Sequence, residues 1–284
     1  MIALAKRRSL LLLPVLLYPG IGWGHGSYHD VLTILNGEIA QAPDNTELIL
    51  QRAKLHLSHE TWVEAMADLE RVDRLKPTDH LTDGLRGQAL NQAGQWAPAL
   101  EALNARLEAA PEDTEAFLER ARARFHLGDS GSTEDFRMAL AATEVTTPER
   151  VLEAVDAIEQ FEDRASASEF LEKIMNGHPV EPSLWERAIE LDLELGEFDA
   201  ALEHLEQLSP VAPRPEPGIA RRARILERAG RREEALATWT GLRDRLMALP
   251  NLERGSPLLS QLLAEAQKAL GMTIPAPVVA QPAP

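Results

Sequence analysis

Cysteine is absent from all 284 residues, which excludes disulfides, thiolate metal sites and a thioether-linked lipid anchor. Aromatic residues are scarce, at 5% of the chain, while Ala, Leu, Glu and Arg dominate, and these are strong helix formers. Strand-like alternation with a β-branched bias is missing, so the expectation is an all-α chain. No HExxH, GxSxG, GxxxxGK[ST] or GxGxxG stretch is present, and hydrolase, NTPase and dinucleotide-binding readings therefore have no foothold. The chain is read as a non-enzyme.

Long apolar runs are also missing, with one exception near the start. Lys6-Arg7-Arg8 precede a ten-residue apolar core, Ser9 to Tyr18 (SLLLLPVLLY). A helix needs ~20 residues to span a bilayer, so this core is too short to cross one. Gly22-Trp23-Gly24 and Gly24-His25-Gly26 each place small residues at the cleavage-recognition positions. Residues 1–24 read as a signal peptide, with cleavage after Gly24 or after Gly26. The expected address is the periplasm or the medium, without membrane insertion after cleavage. Release after Gly24 makes His25 the first residue, with His29 four positions on. A free amine and two imidazoles suit copper, so His25 and His29 form a candidate metal site, with His56 and His59 nearby as further donors.

Charge of one sign is short as well. Lys and Arg number 29 against 45 Asp and Glu, for a net −16; loss of Lys6, Arg7 and Arg8 with the leader takes this to −19. Such a charge opposes binding to nucleic acid or anionic lipid. One basic island stands out, Arg221, Arg222, Arg224, Arg228, Arg231 and Arg232. Pairing with Glu227, Glu233 and Glu234 is its expected fate.

What is plentiful is self-similarity. Gly94, Gly128, Gly196 and Gly230 are spaced by 34, 68 and 34 residues. Ala65, Ala99, Ala167, Ala201 and Ala235 share that grid, and Pro77, Pro111, Pro179 and Pro213 follow four of them by twelve. Leu195-Gly196-Glu197-Phe198-Asp199-Ala200-Ala201 reads as a helix end, a Gly turn and a helix start. Six units follow, at 45–77, 80–111, 114–147, 148–179, 182–213 and 216–250. A segment at 25–44 carries a capping helix with Val31, Leu32, Leu35 and Ile39 as its apolar stripe and Ser27 as its cap. A second capping helix spans 255–271, opened by Ser256-Pro257, and 272–284 is a Pro/Ala-rich tail expected to be disordered.

Small residues at Ala53, Gly87 and Ala121 let paired helices approach closely. The third unit breaks the rhythm: Thr133 stands where Ala is due and Pro148 comes late, so an extra segment is expected at 129–133 or 143–147. Residues 209–218 (SPVAPRPEPG) read as a stiff, non-helical connector. Trp62, Trp96, Trp185 and Trp239 recur near the joints and read as core filling.

Gly94-Gln95-Trp96 and the Leu195–Ala201 phrase resemble tetratricopeptide repeats. The resemblance implies an α-solenoid, a right-handed superhelix of about six helical hairpins with terminal capping helices. First helices would line a concave groove for a protein or peptide partner. The implied groove residues are Leu50, Lys54, Leu57, Gln88, Asn91, Arg122, Phe125, His126, Arg224 and Arg228, with Glu190 and Glu194 alongside. This mixture of Arg, amide and apolar groups suits an extended peptide with acidic side chains. No chemistry and no cofactor are implied; copper at the N-terminus is the alternative reading.

Overall fold

The computed structural model describes residues 25–77, 82–141, 147–176, 181–251 and 255–272. Among them are fourteen α-helices, one 3-10 turn and no strand. Helix α1 (His25–Gln41) leads. Six antiparallel pairs follow: α2 (Thr46–Ser58) with α3 (Trp62–Leu75), α4 (Asp83–Gln92) with α5 (Trp96–Ala109), and α6 (Thr114–His126) with α7 (Ser132–Ala141). Then come α8 (Pro148–Phe161) with α9 (Arg164–Met175), α10 (Pro182–Leu195) with α11 (Phe198–Leu208), and α12 (Glu216–Arg228) with α13 (Arg232–Ala248). Helix α14 (Pro257–Ala269) closes the order.

Local chemistry sets the helix ends. The Oδ1 atoms of Asn45, Asp113 and Asp163 accept from backbone amides of the first turns of α2, α6 and α9. Pro148, Pro182 and Pro257 occupy first turns, where a missing N–H costs nothing. Gly196 ends α10 at φ +81°, a left-handed conformation that only glycine adopts without steric cost. Glu60 takes the same role in the first hairpin at φ +58°, against its own Cβ.

Among the described residues the core is divided into small clusters along the stack. Ile39, Ile49 and Val72 join α1, α2 and α3; Leu57, Ala65 and Ala89 join α2, α3 and α4. The series continues to Trp239, Leu242, Leu259 and Leu262, which join α13 to α14. Each helix buries its stripe only against near neighbours, so stability is close to a sum of hairpin and interface contributions. The stripe of α1 behaves accordingly, with Leu35 and Ile39 buried and Val31 and Leu32 half-buried.

A polar clamp repeats alongside. Arg52 grips Asp68 through Nε (2.8 Å) and Nη2 (2.5 Å) and reaches Asn36 through Nη1 (2.6 Å). Arg120 grips Asp135 through Nε and Nη2, both 2.8 Å, and reaches Asn104 through Nη1 (3.1 Å). Each clamp ties a first helix to its own partner and to the helix before it. Both carboxylates are buried, so the ion pairs hold their geometry by two parallel bonds each.

The clamps also give the register of the irregular unit. Sixteen residues separate Arg52 from Asp68, and fifteen separate Arg120 from Asp135. The turn before α7 has lost a residue, so no extra segment sits at 129–133; residues 142–146 lie outside the described ones. Asp129 Oδ1 accepts from Gly131 N (2.8 Å), and this side-chain turn replaces the first turn of the helix. Ser132, fully buried, takes the place due to Ala, and Thr133 is its neighbour.

Other expectations also shift. Helix α1 begins at His25, ahead of Ser27. Ser256 holds the N-cap position of α14, but its hydroxyl accepts no capping bond. The Pro-rich stretch opens with a 3-10 turn, Ser209–Val211, and α12 starts inside it at Glu216, since Pro217 is tolerated in a first turn. Of the four tryptophans read as core, only Trp239 is buried; Trp62, Trp96 and Trp185 are half-exposed.

Candidate functional site

First helices α4, α6 and α8 sit side by side in the middle of the stack. Their shared face holds a cavity of about 320 Å³, at the small end of ligand pockets. Gln88, Asn91 and Gln92 line it from α4; Glu119, Arg122, Phe125 and His126 from α6; Glu153 and Asp156 from α8. Trp96 and Phe136 contribute from the second helices α5 and α7.

Five of the expected groove residues meet here: Gln88, Asn91, Arg122, Phe125 and His126. The other five do not line the cavity. Leu57 is turned inward among Ala65, Ala89 and Trp62, and Leu50 is half-buried against Ile39 and Ile49. Lys54 is exposed on α2. Arg224 and Arg228 lie on α12.

Arg122 is the hub of the polar side. Its Nε and Nη2 donate to Glu153 (2.8 and 3.2 Å), and its Nη1 donates to Glu119 (2.7 Å). Burial pulls its pKa down; the Glu153 hydrogen bond and the two carboxylate charges more than reverse this, so the guanidinium stays charged. Asn91 Nδ2 donates to the backbone oxygen and to Oε2 of Glu119, each at 2.8 Å. Asn91 is only 7% exposed, yet its Oδ1 has no partner, and Gln92 Oε1 has none either. Aromatic rings make the apolar side: Trp96 stacks on His126 at 3.9 Å, and Phe125 meets Phe161 edge-on.

The wall is therefore acidic. Glu119, Glu153 and Asp156 face one guanidinium, and that guanidinium is already held by two of them. A wall of this charge disfavours acidic side chains at this place. The other arginines expected to greet acidic groups are engaged too. Arg224 holds Glu265 on α14 by two bonds (2.7 and 2.5 Å), and Arg228 donates to the Leu193 carbonyl (2.9 Å) and lies over Phe198. Arg221 pairs with Glu186, Arg222 with Glu206 and Arg231 with Asp199 as well as Glu234. Only Glu234 belongs to the local set expected from the sequence. Five arginines of the basic island thus tie this hairpin to the helices around it.

The sequence reading missed Gln92, Trp96, Glu119, Phe136, Glu153 and Asp156. A signal for four of them was available, since Gln92 stands 34 residues before His126. Gln88, Arg122 and Asp156 are 34 residues apart, as are Glu119 and Glu153. Carrying the groove register through the degenerate fourth unit places Glu153 and Asp156 on the same face.

At the N-terminal end, His56 Nδ1 lies 3.2 Å from the Tyr28 hydroxyl and 2.9 Å from Thr61 Oγ1. Burial lowers the His56 pKa, against the raising charges of Asp68 and Glu64. His59 packs on the Tyr28 ring at 4.2 Å, and His29 is exposed. Among the described residues no three His, Cys, Asp or Glu side chains converge to hold a metal ion. The His25 side chain lies outside the described residues. No described helix is long and apolar enough to cross a membrane.

Comparison with known proteins yields a fold. The model of a bacterial transcriptional activator domain matches residues 178–259. The C-terminal part of a TPR repeat-containing protein from Cytophaga hutchinsonii is similar at TM-score 0.58 and 12% identity, covering 83% of this chain and 94% of that one. Pseudomonas aeruginosa pilF is similar at TM-score 0.51 and 14% identity, covering 78% and 97%. The Cut9–Hcn1 hetero-tetramer of the APC/C is similar at TM-score 0.50 and 14% identity, covering 85% of this chain and 46% of that one. No curated protein matches.

Proposed function

We propose that this tetratricopeptide-type solenoid is a non-catalytic, exported scaffold that binds a protein or peptide partner on the face formed by its first helices. The fold itself suggests a protein-interaction scaffold. The observation that carries the finer reading is the cavity between α4, α6 and α8. Trp96 and Phe125 keep part of their rings exposed there and two acceptors have no partner, whereas Arg221 and Arg224 are held by carboxylates on neighbouring helices. Export rests on the basic start and short apolar core of residues 1–24.

Photo-crosslinking tests the groove assignment. A photoreactive residue at Gln88 or His126 should trap a discrete partner in the native host. The same residue at Glu101, exposed on α5, should not. Equal yields from the two faces would remove the groove reading. The copper reading rests on His25 and His29 in the sequence; N-terminal sequencing of exported protein decides it, since a chain starting at Ser27 lacks the first ligand.

A further inference from the structure

We infer that the cavity between α4, α6 and α8 accepts a basic side chain, Lys or Arg, of the partner peptide. The inference rests on the groove reading above and names what the groove selects.

The first observation is charge. Three carboxylates line the cavity against one guanidinium, a balance of −2, and Arg122 spends its donors on Glu119 and Glu153. Asp156 is the uncommitted member. Its side chain is 62% exposed and its contact with Arg187 is long, at 3.4 Å, while Arg187 bonds more closely to Glu159. An acidic ligand would meet this wall with no cation free to answer it.

The second observation is independent of charge. Two residues that line the cavity, Asn91 and Gln92, each carry a buried side-chain oxygen without a partner, and both oxygens are acceptors. Neither amide is misassigned by a flip, because each Nδ2 or Nε2 already donates to a carbonyl oxygen, Glu119 O and Leu57 O respectively. A buried acceptor calls for a donor. An ammonium brings three and a guanidinium five, with no acceptor of their own to satisfy.

The third observation is shape. Trp96 and Phe125, each partly exposed, supply an apolar and π-rich side to the same cavity. A Lys or Arg stem packs on such a surface while its head reaches the polar end, and the rings add cation–π attraction. The volume suits one side chain with its flanking backbone rather than a cofactor.

The test uses the full chain, isotope-labelled, and capped amino acids as probes. N-acetyl-lysine methylamide and N-acetyl-arginine methylamide should shift the side-chain amide signals of Asn91 and Gln92 and the Trp96 indole signal. The glutamine and glutamate analogues should not. Raising salt from about 50 to about 200 mM should weaken the effect, because part of it is screened. Asp156→Lys should weaken binding by roughly tenfold or more, through loss of attraction and gain of repulsion. Glu101→Lys, the same charge change on an exposed site of α5, should leave it unchanged. The proposal is overturned if the glutamate analogue shifts these signals as strongly, if no capped probe shifts them, or if free spermidine binds where both capped basic probes fail. Failure of the groove reading is separable: crosslinks at Gln88 with no response to basic probes keep the groove and remove its basic preference. Basic probes that bind without any groove crosslink remove the partner and leave a small-cation site.

Discussion

Gly87→Ala is the substitution whose outcome the packing dictates most directly. An ideal Cβ at Gly87 would lie 2.4 Å from Leu103 Cγ and 2.6 and 2.9 Å from its two methyl carbons. Comfortable carbon contacts are about 3.5–4.0 Å. The nearest atom is a branch point rather than a flexible tip, and Leu103 is itself fully buried beside Ala99, Leu107 and Ala116. Either Leu103 leaves its rotamer or α4 moves off α5. Overpacking of this kind costs about 1–3 kcal/mol, and the clash lies toward the upper end. Exchanging glycine for alanine inside a helix returns about 1 kcal/mol. A net loss of about 1–2 kcal/mol follows. Gly37, inside α1, is the internal control, since nothing lies within 4 Å of its would-be Cβ; Gly37→Ala should gain up to about 1 kcal/mol. Urea unfolding followed by tryptophan fluorescence, with hydrogen exchange to localise the change to α4 and α5, reads both. Shortening Leu103 to Ala in the Gly87→Ala background should cost less than the sum of the two single changes. If Gly87→Ala proves as stable as Gly37→Ala, the close approach of α4 and α5 is wrong.

Glu60→Gly should stabilise the first hairpin by about 1 kcal/mol, because a φ of +58° penalises any Cβ; thermal melting checks it. Asp135→Ala leaves Arg120 and Arg124 facing a buried gap and should cost about 3–5 kcal/mol, read by urea titration. Breaking the more exposed Arg137–Glu162 pair with Glu162→Ala should cost no more than about 1 kcal/mol in the same titration. The hydrogen bond from His204 Nδ1 to Asp192, at 2.8 Å, raises the His204 pKa above its ordinary value. The protonated form is favoured by folding, so its contribution is complete below about pH 6.5 and lost as pH rises through the raised value. Wild type should therefore lose more stability than Asp192→Asn between mildly acidic and mildly alkaline pH, seen as a larger fall in Tm.

Periodicity carried most of the fold without any coordinates. The 34-residue spacing of Gly94, Gly128, Gly196 and Gly230 is a statement about backbone, since four of the five left-handed glycines fall on it. Apolar stripes such as Val151, Val155 and Ile158 could be read because a helix shows its pattern within its own sequence. The α7 register could not. Thr133 in the place due to Ala marks the break in the sequence but not its sign; the Arg120–Asp135 pairing, fifteen residues long, and the buried Ser132 count it as a loss.

The chain by itself determined that helical hairpins must stack, because no single helix here can bury its apolar stripe alone. It also determined which helix face most residues occupy, since that follows from spacing. What only the tertiary structure decided is how charge is spent. Arg122, Arg224 and Arg228 are identical letters on similar faces, and each is committed to a group on a neighbouring helix 31 to 41 residues away. Sequence position does not reveal a partner at that distance. The character of the central cavity, acidic and short of donors, is the residue left after those pairings are made.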